Sequence, residues 1–254
     1  MNTMLNNETD IEGIERATIA AVSPEVTEEL DGWLLPFDGG TVRRASSAVP
    51  MHHGPVDIAT LDRIEDRYDS RQFVPTLRLA DAACFEDLRA ELARRHYAEQ
   101  SPTSVQTASL RRMAEVVAPG TALADVDTTP DAAWAALFLG EGFDPVDGAH
   151  RVRVLARAKG SLYASVREGG RTLAAGAMAF GHGWASVHGM RTDLAHRGRG
   201  LAGRVLGGLA QAATARGFER VFLQVEAQND PALSLYRRAG FEPQWQYSYW
   251  QRQQ

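Results

Sequence analysis

The stretch Trp184 to Gln211, WASVHGMRTDLAHRGRGLAGRVLGGLAQ, restricts the fold more than any other part of the chain. An apolar run of strand character leads into a short basic turn, His196-Arg197-Gly198-Arg199-Gly200. A helical pattern follows, with Leu201, Val205, Leu206 and Leu209 on one face. Strand, glycine-rich turn and helix start together present bare backbone N–H groups, which is the arrangement that receives a phosphate. Gly198, Gly200 and Gly203 keep side chains away from such a ligand, and Arg197, Arg199 and Arg204 add positive charge. The turn therefore reads as the seat of a phosphorylated cofactor.

Two cofactors fit that turn on sequence grounds. Gly198-Arg199-Gly200-Leu201-Ala202-Gly203 spells G-x-G-x-x-G, the dinucleotide fingerprint, and Glu226 stands where such a fold binds ribose. Against a nicotinamide enzyme, residues 193–197 separate the strand from the glycines. Only residues 227–254 follow Glu226, too few to complete a doubly wound sheet. The same residues also read Arg197-x-x-Gly200-x-Ala202, which suits the context better.

In that second reading the chain resembles the GNAT superfamily of acetyl-CoA-dependent N-acetyltransferases over roughly Asp131 to Trp250. MRTDLAHRGRGLAGRVL matches its R-x-x-G-x-G/A pyrophosphate loop. VEAQNDPALSLYRRAGF matches its N-x-x-A-x-x-L-Y-x-x-x-G-F element through Asn229, Ala232, Leu235, Tyr236, Gly240 and Phe241. The resemblance implies an α/β fold with a mixed sheet, the GNAT acyl-CoA N-acyltransferase fold, as a tandem pair whose first copy is degenerate. The expected division is an accessory or GNAT-like half over residues 1–120 and an acetyltransferase half over residues 121–254. The first half lacks both motifs, but GWLLPFDGGTVRRASSAVP is similar to what precedes the GNAT domain in two-part bacterial members. Its implied role is to wall the acceptor pocket.

The resemblance also assigns residues. Met190, Arg191 and Thr192 would offer backbone groups to the pantetheine arm of coenzyme A. Arg197, Gly198, Arg199, Gly200, Leu201, Ala202 and Gly203 would hold the pyrophosphate, with help from the helix dipole. Asn229 and Ala232 would contact the cofactor, and Tyr236 would protonate the leaving thiolate. The implied activity is transfer of acetyl from acetyl-CoA to a primary amine of a small molecule, or to a protein lysine or N-terminus, by direct attack. The alternative is a non-catalytic acetyl-CoA-binding regulatory module. An acceptor amine must lose a proton, and the candidate bases are Glu226, His188 and His182. A backbone N–H near Met190 would hold the oxyanion.

Composition narrows the partners. The net charge of -5 argues against a nucleic-acid partner and suits a cationic acceptor. No run nears the ~18 unbroken apolar residues of a membrane span. The N-terminus lacks a signal-peptide pattern, so a cytoplasmic protein is expected. One cysteine, Cys84, excludes an internal disulfide, and His52-His53 have no acid or thiol at ligand spacing, so no metal is expected. The five tryptophans read as packing residues.

Local signals fill in the rest. Residues 1–10 read as frayed, and Ile11 to Val22 as a short helix. Asp38-Gly39-Gly40 reads as a turn between strands Trp33–Leu35 and Thr41–Val42. Helices are expected over Ile58–Tyr68, capped by Asp57, and over Phe85–His96, with an edge strand Phe73–Leu79 between them. Ser104 to Val117 reads as a strand followed by a second strand or irregular chain. The second half reads as two helices, Asp131–Glu141 and Gly148–Ala158, then strands Leu162–Val166, Leu173–Phe180 and Trp184–Arg191. Helix Gly200–Arg216, strand Phe218–Val225, a short helix from Asn229 or Asp230 and strand Trp245–Trp250 complete it. That final strand is expected to be exposed and able to pair two copies in a homodimer.

Overall fold

The computed structural model describes residues 7–253; residues 1–6 of the segment expected to fray lie outside that range. The chain opens with helix α1 (Asn7–Val22) and strands β1 (Val26–Leu30), β2 (Trp33–Phe37) and β3 (Val49–Pro50). Helix α2 (Ala59–Ser70), strand β4 (Thr76–Ala80), helix α3 (Glu86–Arg94), strand β5 (Tyr97–Ser109) and helix α4 (Leu110–Ala114) follow. Next come strand β6 (Asp125–Asp127), helices α5 (Ala132–Ala136) and α6 (Pro145–Arg157), and strands β7 (Leu162–Glu168), β8 (Arg171–Gly181) and β9 (Trp184–Thr192). Helix α7 (Leu201–Ala215), strand β10 (Arg220–Glu226), helix α8 (Asp230–Arg238) and strand β11 (Glu242–Arg252) end the chain.

β1, β2 and β3 form a small sheet, and the other eight strands form one mixed sheet in the order β4-β11-β5-β10-β9-β8-β7-β6. Only β9 and β10 run parallel; every other pairing in it is antiparallel. Side chains alternate across that sheet as the strand period requires. Val221, Leu223 and Val225 of β10 join the core under α4, α7 and α8. Phe222 faces the other way, with Ile14 and Ala17 of α1, Trp184, Tyr247 and Tyr249. Trp134, Leu137, Phe138 and Leu155, from α5 to α6, cover β7 and β8 on that second face.

The sheet continues through the boundary expected near residue 120. β5, from the first half, lies between β10 and β11 of the second and pairs with both along most of its length. β4 supplies the edge beside β11. The final strand is thus interior in the sheet order, and over Tyr247–Gln251 it has β4 on one side and β5 on the other, so the exposed strand expected to pair two copies is covered there.

Local corrections have local causes. The chain after Asp38-Gly39-Gly40 does not return as a strand: the Thr41 amide donates to His150 Nδ1 at 2.9 Å and its hydroxyl to Asp147 at 2.8 Å. That ties residues 41–45 to α6, where Arg43–Ala45 form a single tight turn. The hairpin is made earlier, at Asp31-Gly32, both at positive φ (47° and 83°), joining β1 to β2. Leu110–Ala114 is helical because Ser109 Oγ accepts the Arg112 amide at 3.3 Å. α6 begins at Pro145, earlier than expected, because Asp144 caps it by accepting from Val146 and Asp147. β4 is an edge strand as its proline suggested, and Pro75 sits just before it.

Candidate active site between strands β9 and β10

β9 and β10 pair only through Val221–Ala185, Phe222–Ser186 and Leu223–Val187. Beyond those positions they diverge. Residues 188–192 stay with β8, and residues 224–226 stay with β5. A bulge at Gly189 helps turn β9 aside: its φ is +60°, and a Cβ there would meet Leu155 Cδ1 at 2.6 Å. The result is a cleft of about 990 Å³ opening between two strand ends and crossing to both sheet faces.

One wall of the cleft is backbone. Gly198 (φ +78°) and Gly200 (φ +74°) hold left-handed conformations, and open space surrounds both, so the backbone angle is what requires glycine. Gly200 precedes the first residue of α7 and offers no side-chain cap. Among the described residues, the amides of Gly198, Arg199, Gly200, Leu201, Ala202 and Gly203 meet no hydrogen-bond acceptor of the protein. Six bare N–H groups at a helix start form a concave anion site. Gly203 is different in kind: a Cβ there would touch only Val116 O at 3.9 Å, so neither the fold nor the backbone angle demands glycine.

The structure brings Met190, Arg191, Thr192, Arg197, Gly198, Gly200, Leu201, Ala202, Gly203, Asn229, Ala232 and Tyr236 onto this one cleft, with Glu226 and His188. Arg199 is the exception. Its guanidinium leaves the cleft and pairs with Glu168 at 2.6 Å. Arg204 also turns away, donating to Ala122 O at 2.6 Å. Asn229 caps α8 by accepting from the Ala232 amide at 3.3 Å while lining the cleft.

Tyr236 stands on α8 with its ring 5.8 Å from Phe241. It is buried, which pushes its phenol up to about 12, with nearby Arg191 acting weakly the other way. It is therefore protonated at neutral pH, and among the described residues its hydroxyl has no protein partner. His188 is fully buried; burial, with Arg44 nearby, drops its imidazole to about 3, and its Nε2 lies 2.8 Å from Ser186 Oγ. A neutral ring that resists protonation this strongly is a weak base. Glu226 ends β10 and is exposed at the cleft rim. His182 lies in the β8–β9 turn at positive φ, outside the cleft lining.

The opposite wall uses residues that sequence reasoning left unassigned: Thr41 to Arg44, Ser101, Thr103, Asp147, Arg151, Gln224, Tyr247 and Tyr249. Gln224 organises it. Its Oε1 accepts from Arg44 at 2.9 Å and from Tyr247 Oη at 3.0 Å, and its Nε2 donates to Thr18 at 2.9 Å. Behind it, Arg78 and Glu15 form a buried ion pair at 2.6 Å, with side chains 0% and 3% exposed. The Arg78 guanidinium also lies 5.0 Å from the Tyr247 ring centroid. The only sequence signal for this wall was the stretch GWLLPFDGGTVRRASSAVP, which contains Thr41 to Arg44 and whose position in the fold no local pattern discloses.

Known proteins share this fold. Residues 8–250 match the family model described as "Probable histone acetyltransferase Rv0428c C-terminal". A mycothiol acetyltransferase from Corynebacterium aurimucosum is 42% identical over 55 residues, covering 22% of this chain and 18% of that protein, so the match spans under a fifth of its relative. Among solved structures, a GCN5-related N-acetyltransferase from Kribbella flavida superposes with a TM-score of 0.72 at 17% identity, covering 96% of each chain. A tandem GNAT protein from the clavulanic acid biosynthesis pathway gives 0.61 at 16% identity, over 95% of this chain and 94% of that one. At such identities the likeness is one of fold. Among the described residues, no helix is long and apolar enough to cross a membrane.

Proposed function

This chain belongs to the Rv0428c C-terminal family within the GNAT superfamily, and from that premise we propose that it transfers acetyl from acetyl-CoA to a primary amine by direct attack. The observation that carries the reading is the row of six unpartnered amides from Gly198 to Gly203, at one end of a cleft that Tyr236 also lines. Bare N–H groups at a helix start fit a diphosphate, and Arg197 adds charge beside them. Strand positions 190–192 lack a β10 neighbour, which leaves backbone groups available to an extended amide-bearing arm. Acetyl-CoA would supply an activated thioester.

The chain's own residues do the remaining work. The Tyr236 phenol is protonated at neutral pH and suits donation to a departing thiolate. A backbone N–H near Met190 would hold the developing oxyanion. For the acceptor proton, Glu226 at the rim is the better placed carboxylate, and His188 is too weak a base for the task. The donor end would draw on residues 190–203 and 229–236, and the acceptor wall would combine Thr41 to Arg44, Ser101 and Thr103 of the first half with Asp147, Arg151, Gln224, Tyr247 and Tyr249 of the second.

The test is thiol release from acetyl-CoA over a panel of amines, paired with calorimetry of acetyl-CoA binding. Tyr236→Phe is expected to lower kcat at least about 10²-fold, the usual scale for a lost general acid, with cofactor affinity changed far less. Unchanged kcat in Tyr236→Phe removes the acid role. Tight acetyl-CoA binding with no turnover of any amine removes the transferase reading.

A further inference from the structure

The net charge of the chain and the local charge of its cleft have opposite signs. The chain carries -5 overall, yet in the cleft lining the arginines, Arg43, Arg44, Arg151, Arg191, Arg197 and Arg238, outnumber the acids, Asp147 and Glu226. Arg44 reaches the cleft from the first half and makes one hydrogen bond among the described residues, to Gln224. A guanidinium has five N–H donors, so most of its capacity is unused. The carboxylate behind it, Glu15, is already ion-paired with Arg78.

Arg191 reaches the same cleft from β9. Neighbouring Met190 packs with the core beneath α7, whereas the Arg191 guanidinium lies 4.7 Å from the Phe143 ring centroid and 5.9 Å from that of Phe138. Its Nε is buried without a hydrogen-bond partner, and among the described residues it forms no ion pair. Burial first, then Arg151 and Arg197, push it below the ordinary arginine range. The nearest acid on α6, Asp147, is engaged by Arg151 at 2.6 Å and by the Thr41 hydroxyl at 2.8 Å. Glu226 is the remaining carboxylate facing it and lies exposed at the rim.

Two fixed, half-buried guanidiniums without carboxylates of their own are costly unless a ligand supplies the anion. Planar forked donors match a carboxylate in particular. We propose that the acceptor amine belongs to a small molecule that also bears a carboxylate, received among the guanidiniums of Arg44 and Arg191 that line this cleft. This rests on the acetyl-transfer reading above. It disfavours polyamines, aminoglycosides and lysine-rich peptides, whose positive charges meet the same guanidiniums as repulsion.

The experiment compares amino acids and dipeptides with their C-terminal amides, and with spermidine and a lysine-rich peptide, in the acetyl-CoA thiol-release assay. Free acids are expected to exceed their amides at least tenfold in kcat/KM, with the difference mainly in KM. The wild-type comparison needs no variant. Arg44→Met and Arg191→Met are each expected to erase that preference, and Arg44→Met to leave the calorimetric affinity for acetyl-CoA unchanged. Amides or polycations turned over as well as free acids would overturn the inference while leaving acetyl transfer standing. So would an Arg44→Met variant that loses acetyl-CoA affinity and keeps the acid preference. No turnover with any amine, although acetyl-CoA binds, would overturn both.

Discussion

The two walls of the cleft recognise their ligands by different means. The donor wall, Gly198 to Gly203, consists of main-chain amides set by two glycines at positive φ and a helix start. The acceptor wall consists of side chains from the 41–45 turn, β5, α6, β10 and β11, backed through Gln224 by α1 and by the buried ion pair between α1 and β4. Backbone recognition needs a short local pattern and tolerates change in the side chains around it. Side-chain recognition needs a precise scaffold assembled from distant segments, so it is where specificity resides and where damage to the fold is felt first.

The contrast predicts unequal mutational costs. Removing one partner of the Glu15–Arg78 pair leaves a charge stranded in the interior. Arg78→Met should lower unfolding free energy by about 3–5 kcal/mol in denaturant titration, and Glu15→Leu combined with Arg78→Met should recover much of it. A single variant that costs nothing would show that the acceptor wall does not lean on this pair.

His188 comes next. Its folded-state value, about 3, lies below the ordinary 6.5, so the unfolded chain binds the extra proton between those values. This contribution is complete above pH 6.5 and is lost as the pH falls toward 3. The loss approaches about 2 kcal/mol at pH 5, since each unit is worth about 1.4 kcal/mol. His188→Gln should flatten the acid limb of stability against pH relative to wild type. His53, lowered to about 4 by burial and His52, acts with the same sign and remains in the variant.

On the donor wall the costs are smaller and fall on binding. Gly200→Ala places a side chain in open space, so only the backbone angle opposes it, at about 1–2 kcal/mol. The fold should survive, with acetyl-CoA affinity reduced about tenfold as the amides shift (about 1.4 kcal/mol). Full affinity in Gly200→Ala would mean the turn geometry does not matter to the donor. Arg199→Ala should do least. It removes an exposed pair with Glu168, worth under about 1 kcal/mol, and should leave acetyl-CoA binding within error.

The same contrast explains what could be read from the sequence. The turn at 197–203, the cap at Asn229 and the phenol at Tyr236 lie in two contiguous motifs, and the fold places them on one cleft. From α5 onward the strand and helix order was legible because each element carries its own period and punctuation, whereas the three-residue β6 before it was too short to show one. The insertion of β5 between β10 and β11 was not, because pairing across more than a hundred residues leaves no local mark. The Asp31-Gly32 hairpin did have a local signal, but Asp38-Gly39-Gly40 competed for the same role and was captured by contacts to α6. Arg44, Gln224 and Tyr247 meet only in three dimensions, so the acceptor wall emerged from the structure alone.

The most direct measurement is a crystal structure of the chain soaked with acetyl-CoA. The account predicts diphosphate oxygens within about 3 Å of the amide nitrogens between Gly198 and Gly203, the ordinary N–H···O range. It also predicts the thioester sulfur beside the Tyr236 hydroxyl. A cofactor seated elsewhere, or those amides turned inward onto acceptors of the protein, would contradict it.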